Sequence, residues 1–310
     1  MFTVLAGGVG ASRFLQGLVQ VVPPEDVTVI SNTGDDVEMF GLYVAPDVDI
    51  VTYALAGAVN PATGWGLQGD TLNVVGALRR YGYPDWFNLG DRDLATAIHR
   101  TRLFGEGVAY HEICAAIARA WSVEPRILPM SDQRIVTRIF GPDGEIPFQE
   151  YMVKLRGEAE VTRIEFAGIQ AAKPGPGVIE SIRDSTVLVI APSNPFVSVG
   201  PILAVPGVRQ AIESSRADRI AISPIIAGDV VKGPAARMLR SLGHEVSAVG
   251  VARIYAGLID TFVIDERDRH LASEVEKLGM RCAVTDTMMT SDQRKAELAA
   301  DVLAAAGLRP

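Results

Sequence analysis

Four stretches of this chain bring together residue types that can handle a phosphorylated substrate. The first is Gly7-Gly8-Val9-Gly10-Ala11-Ser12, directly behind the apolar run 2–6. Glycines let a backbone approach a phosphate closely, and a helix starting there offers unpaired N–H donors. Gly8, Gly10 and Ser12 are therefore candidate phosphate-side residues. The turn is not a full dinucleotide fingerprint, because Arg13 stands where the third glycine belongs. Nor is it a P-loop, since no Gly-Lys-Ser/Thr follows. The plain alternative is a tight strand-to-helix turn.

The second stretch is Asn32-Thr33-Gly34-Asp35-Asp36, behind the apolar run 27–31, and Pro46-Asp47-Val48-Asp49 supplies another acidic pair. Adjacent carboxylates in loops at strand ends suit a hard cation such as Mg²⁺, although a solvated turn has the same composition. A dinucleotide enzyme would place an acid where Asn32 stands. The third stretch is Gly90-Asp91-Arg92-Asp93, in which Arg92 offers a planar fork for an anion, with flanking acids to hold it. His99 is a candidate acid or base, and Trp65, Trp86 and Phe87 are candidates for stacking on a planar ring, although surface placement and core packing are their commoner fates. The fourth is Pro192-Ser193-Asn194-Pro195 with Ser198, a rigid turn at a strand end, echoed by Ser223-Pro224 and by Lys232 beyond it.

These residues need a scaffold, and the hydrophobic pattern predicts one. Strand, glycine turn, helix and strand open the chain, with Phe14, Leu15, Leu18, Val19 and Val22 at helical spacing before Pro23-Pro24. Short β-branched runs at 187–191, 219–223, 246–251, 262–265 and 282–285 predict further strands. Helices are expected over 230–242, 269–278 and, with Thr290 and Gln293 as a capping box, up to Ala306. Residues 92–121 read as helical, and 134–166 as strands around the turn Gly141-Pro142-Asp143-Gly144. The expected architecture is an α/β Rossmann-like, doubly wound, mostly parallel sheet. It forms one domain over 1–310, with a helical and β-hairpin insertion at roughly 60–170.

With 310 residues, 48% of them hydrophobic, the chain has ample material for a large core. Its net charge is −8 and it has no basic run, which argues against a general nucleic-acid binder. Cys114 and Cys282 form neither a CxxC pair nor a disulfide framework, so a reducing compartment is expected. No basic-then-apolar leader and no membrane-length apolar run is present, and the expected location is the cytoplasm.

Taken in order, GGVGAS, NTGDD, GLYVAPDVD, GWGL, LGDRDLA with IHRTR, LPMSD, FQEY, PSNP, SPIIAG and KGPAARM resemble the CofD family. The resemblance spans about residues 1–268. That family contains the 2-phospho-L-lactate transferases of deazaflavin coenzyme F-420 biosynthesis. The resemblance implies transfer of a phospholactyl or phosphoenolpyruvyl group from a guanosine diphosphate-linked donor to the deazaflavin Fo, with release of GMP and a requirement for Mg²⁺. It implies that Asp49 and Arg92 contact Fo, and that Asp49 with Asp35 or Asp36 holds the metal. Gly8, Gly10, Ser12, Asn194 and Ser198 then lie on the donor side, and Asp49 or Asp36 serves as proton acceptor. Arg92 occupies a position that is often lysine in the family. A homodimer is a further family expectation. Two other readings carry their own signatures: a nucleotide-sugar-binding regulator of the YvcK type would need no acceptor site, and an NAD-dependent oxidoreductase would need the complete glycine fingerprint.

Overall fold

Strand β1 (Phe2–Ala6) lies at the middle of a seven-stranded sheet, flanked by β2 (Val27–Ser31) and β4 (Val187–Ile190). The computed structural model describes residues 1–84, 86–230 and 233–308. The other sheet strands are β3 (Arg126–Pro129), β5 (Asp218–Ile222), β6 (Thr261–Asp265) and β7 (Arg281–Thr285). Their order is β3-β2-β1-β4-β5-β6-β7, and every neighbouring pair is parallel. Central strands such as Val27–Ser31 are buried along their whole length. Near-continuous apolar runs are what a parallel sheet covered on both faces requires.

Helices α1 (Gly8–Val21), α2 (Pro46–Leu55), α3 (Asp91–Gly105), α4 (Tyr110–Ala120), α5 (Ala248–Tyr255) and α6 (Asp292–Ala305) account for most of the helical cover used below. One core joins Phe14, Leu15 and Leu18 of α1 to Ile113 and Ile117 of α4 and to Leu298 and Val302 of α6. A second core, on the opposite face, includes Leu5, Ile30, Ile202, Leu239 and Val251. Strand order reverses at β1, so the crevice between the loops after β1 and β4 is the topological switch point, where open α/β sheets bind ligands.

Several expectations need correction. Residues 246–251 are not a strand: Ser247 caps α5 by accepting from the Gly250 N–H at 3.0 Å, and Val249 and Val251 lie within the helix, both buried. A local side-chain cap outweighs the β-branched composition. The last helix is capped by Ser291, which accepts from Arg294 N, and not by Thr290. The helix expected over 230–242 is confined to Ala235–Ser241; Lys232 and Val231 lie outside the described residues. The 269–278 stretch begins as a 3₁₀ turn, Glu266–Leu271. Strand β3 falls inside 60–170, so that stretch contributes an edge strand of the main sheet as well as added elements.

Chief among those added elements is a three-stranded antiparallel ribbon of Val136–Gly141, Gly144–Ile146 and Arg163–Ala167. Among the described residues no helix is long and apolar enough to cross a membrane.

Candidate active site

The loop after β1 and the loop after β4 meet directly. Ser193 donates its hydroxyl to the Gly7 carbonyl at 2.8 Å, and a Cβ on Gly10 would overlap the Pro192 carbonyl oxygen. Gly10 is thus glycine because α1 packs against the Pro192 turn, a close approach and not an opening for phosphate. Ser12 is buried and turns its hydroxyl back to Val9 O at 2.9 Å, facing its own helix. Asn194 shapes its own turn: Oδ1 accepts from Phe196 N at 2.9 Å. Ser198, whose Oγ would lie 4.0 Å from a Cβ on Gly8, stands beside the glycine turn. Of the five donor-side candidates, Gly8 and Ser198 share the crevice; Gly10, Ser12 and Asn194 build its walls.

The Pro46–Asp49 segment is the first turn of α2, not the loop its composition suggested. Proline suits the first helical position and acids suit the positive end of the helix dipole. On a helix, residues two apart point to opposite sides, so the acidic pair separates. Asp47 turns to α1, where its Oδ1 accepts from Gly8 N at 2.7 Å. An internal carboxylate therefore sits where the sequence suggested a phosphate alone. Asn32 joins it to the NTGDD loop: Nδ2 donates to Asp47 Oδ2 at 2.9 Å and to Asp35 Oδ1, while Asn32 Oδ1 accepts from Gly34 N at 2.8 Å. Burial raises the pKa of both acids, that of Asp47 to about 6; the Asp47 charge raises Asp35 further, while hydrogen bonds from Asn32 and Gly8 hold Asp47 down in part.

Asp49 turns the other way and forms a two-pronged ion pair with Arg100 of α3, Nη1 lying 3.1 Å from Oδ2 and Nη2 bound to Oδ1. Arg100 is completely buried and also donates to Tyr43 O at 3.3 Å. Burial still leaves the Asp49 pKa raised, with Arg100 offsetting part of that rise. Arg100 is a residue of the candidate site that the sequence alone does not single out. It lies inside the IHRTR motif, and an arginine flanked by apolar Ala97 and Leu103 was the available signal.

Asp36 joins neither carboxylate group. Its Oδ2 accepts from Tyr110 OH at 2.6 Å and Tyr43 OH at 3.0 Å, and burial pushes its pKa up to about 8. The two phenols hold Asp36 on the Tyr43–Tyr110 side, apart from the Asn32 amide that joins Asp35 to Asp47. The expected set of Asp35, Asp36 and Asp49 is thus split three ways. Among the described residues no three His, Cys, Asp or Glu side chains are grouped to hold a metal. The Asp35–Asp47 pair, acceptor-rich and tied by one amide, is the arrangement that fits a divalent cation.

A cavity of about 380 Å³ opens beside Asp49. Trp65, Phe87, Tyr53 and Met152 supply apolar wall, while Asp49 and Asp93 supply charge. Gln149, also lining it, donates to Asp35 O at 3.0 Å, so the added ribbon region closes the cavity onto the NTGDD loop. Arg92 is not on this wall. Successive helical residues point about 100° apart, and α3 sends Asp93 inward while Arg92 stays exposed with Nη1 on Gln68 O at 3.2 Å. Its flanking acids do not hold it: Asp91 accepts from Thr71 Oγ1 at 2.6 Å and from Val74 N at 3.0 Å. His99 is exposed on the same helix.

Asp93 has its pKa pushed up to about 6, first by burial and then by the charges of Asp49 and Asp70. Folding favours its neutral form, so stability from this group is lost as pH rises from the unfolded carboxylate range through about 6. Asp93→Asn is expected to flatten that part of the stability–pH curve, gaining on the parent protein between pH 4 and 7 as read by urea unfolding. Parallel curves for the two proteins would contradict the assignment.

Comparison with known proteins follows the same lines. A family model described as "2-phospho-L-lactate transferase CofD" matches residues 2–305. The chain is 45% identical to the phosphoenolpyruvate transferase of Streptomyces griseus, over 97% of this chain and 96% of that protein. It is 40% identical to the 2-phospho-L-lactate transferase of Methanothermobacter thermautotrophicus, over 96% of each. A UPF0052-family protein of Bacillus halodurans shares the fold, with a TM-score of 0.62, 18% identity and coverage of 97% of this chain and 98% of that one.

Proposed function

The chain belongs to the CofD family of transferases, and from that premise we propose that it moves a phosphorylated three-carbon acid from a guanosine diphosphate-linked donor to the deazaflavin Fo. The observation that carries the reading is the cavity itself. It has an aromatic wall suited to a planar ring and a buried carboxylate at its floor, and it adjoins a switch point suited to a diphosphate.

In the proposed reaction an Fo hydroxyl attacks the phosphorus that carries the three-carbon acid. A new P–O bond forms to Fo, the bridging P–O bond to the guanylyl phosphate breaks, and GMP leaves with that electron pair. Such transfers depend on in-line positioning and charge neutralisation more than on a protein nucleophile. Asp49, held by Arg100 at the cavity floor, is placed to accept the hydroxyl proton. Ser198 and the glycine turn border the diphosphate. Asp35 and Asp47 would hold Mg²⁺, which when bound neutralises phosphate charge and lowers the pKa of the attacking hydroxyl. The same two residues keep Asp49 free for the acceptor.

The direct test incubates the protein with Fo, Mg²⁺ and each guanosine-linked donor and weighs the product. Absence of any coupled product with every donor would remove the transferase reading. A separate expectation concerns the cation. Mg²⁺ at saturating concentration should raise the melting temperature, and Asp47→Asn should abolish that rise. The rise should grow with increasing pH, as the cation ceases to compete with protons on Asp35 and Asp47, both of whose carboxyls are raised by burial. An unchanged Mg²⁺ response in Asp47→Asn would shift the metal site elsewhere.

A further inference from the structure

We propose that Arg13 recognises the carboxylate of the group being transferred, and so sets the preference for an acidic donor. The inference rests on the transferase reading above and adds to it a residue for the part of the donor that actually moves. Both acids named in the relatives, 2-phospho-L-lactate and phosphoenolpyruvate, carry a carboxylate beside the phosphate. In an in-line transfer the moving phosphorus lies between the attacking hydroxyl and the leaving GMP oxygen, and the three-carbon acid it carries lies to the side of that line, beside both donor and acceptor sites.

Arg13 stands at that junction. It is half-buried on α1, little more than one turn beyond Gly8, and helical side chains lean toward the N-terminus of their helix. Its guanidinium is therefore directed back over Val9 and Gly10, in the turn whose first N–H, that of Gly8, is held by Asp47. On its other side it rests against Gly64: a Cβ there would lie 2.8 Å from Arg13 Nη2. Gly64 has φ +69°, so both its conformation and this approach call for glycine. The next two residues, Trp65 and Gly66, line the acceptor cavity. One short segment thus separates the guanidinium from the cavity wall.

The charges nearby make a cation here informative. Asp47, Asp49 and Asp93 line the crevice and cavity, and a donor carboxylate entering among them needs an opposing charge. Arg100 does not supply it, because its fork is occupied by Asp49 and Tyr43 O. Arg92 faces outward onto Gln68 O. The Arg13 guanidinium makes no hydrogen bond or ion pair among the described residues. Its five donors in a planar fork match a carboxylate in two-pronged geometry.

The experiment compares the guanosine diphosphate-linked phosphoenolpyruvate donor with its methyl ester, which keeps the shape and removes the charge. Affinities for both, for GMP alone and for Fo are measured by calorimetry in the parent protein, Arg13→Gln and Arg13→Lys, with melting temperature as a folding control. A charged hydrogen-bonded pair predicts that the parent binds the acid roughly 10- to 100-fold more tightly than the ester. Arg13→Gln should lose that preference while GMP and Fo affinities stay as they were, and Arg13→Lys should recover part of it. Retention of the full preference in Arg13→Gln, or its absence in the parent, overturns the role of Arg13. Failure of the parent protein to bind GMP and Fo at all overturns the underlying transferase reading, and the inference with it.

Discussion

Replacing Arg100 by methionine is expected to lower the free energy of unfolding by about 3–5 kcal/mol, the cost of leaving a buried charge without its partner. Arg100 is fully enclosed, and the Asp49 side chain it binds is only 13% exposed. Methionine fills much of the same volume, so the loss reports the missing charge more than a cavity. Two neighbours sharpen the effect. Tyr43 O loses a donor at 3.3 Å, and Asp36, whose raised pKa is lowered in part by Arg100, becomes still harder to ionise. Chemical denaturation at pH 7 measures the change, and acidification should recover part of it by protonating Asp49. A loss below about 1 kcal/mol, the worth of an exposed pair, would mean that water reaches this ion pair in solution.

Much of this architecture is legible in the sequence, for a physical reason. A parallel sheet covered on both faces makes strands that read as unbroken apolar runs, and 2–6, 27–31 and 262–265 were read in that way. Where the reading failed, a competing local rule had won. At 246–251 a serine cap overrode β-branched composition, and at 46–49 proline and two acids were the start of a helix. That second miss had consequences for the site. Read as a loop, Asp47 and Asp49 form one acidic pair; on a helix they face opposite ways, one to Gly8 and one to Arg100. The grouping of Asp35 with Asp47 depends on the amide orientation of Asn32, which Gly34 N fixes, and no spacing rule encodes such a contact. Arg92 and Asp93 show the same limit at one-residue scale. Both are charged and adjacent, and only the rotation of α3 decides which one lines the cavity.

The ion pair also changes how Asp49 must be tested. Asp49→Asn alone leaves Arg100 as an uncompensated buried cation, so lost turnover and lost stability arrive together. Pairing Asp49→Leu with Arg100→Met separates them. Replacing both members of a buried pair by apolar groups is often neutral, so the double variant should recover most of the about 3–5 kcal/mol that either single change costs. Its turnover should not recover. If Asp49 accepts the acceptor's proton, removing it costs about 10²–10⁴-fold in kcat whatever the state of Arg100. Single-turnover measurement with Fo and donor at saturation reads that quantity without interference from weakened binding. A double variant that is stable and turns over near the parent rate would reduce Asp49 to a structural partner of Arg100, and Asp93 on the same wall would become the carboxylate to test for the proton.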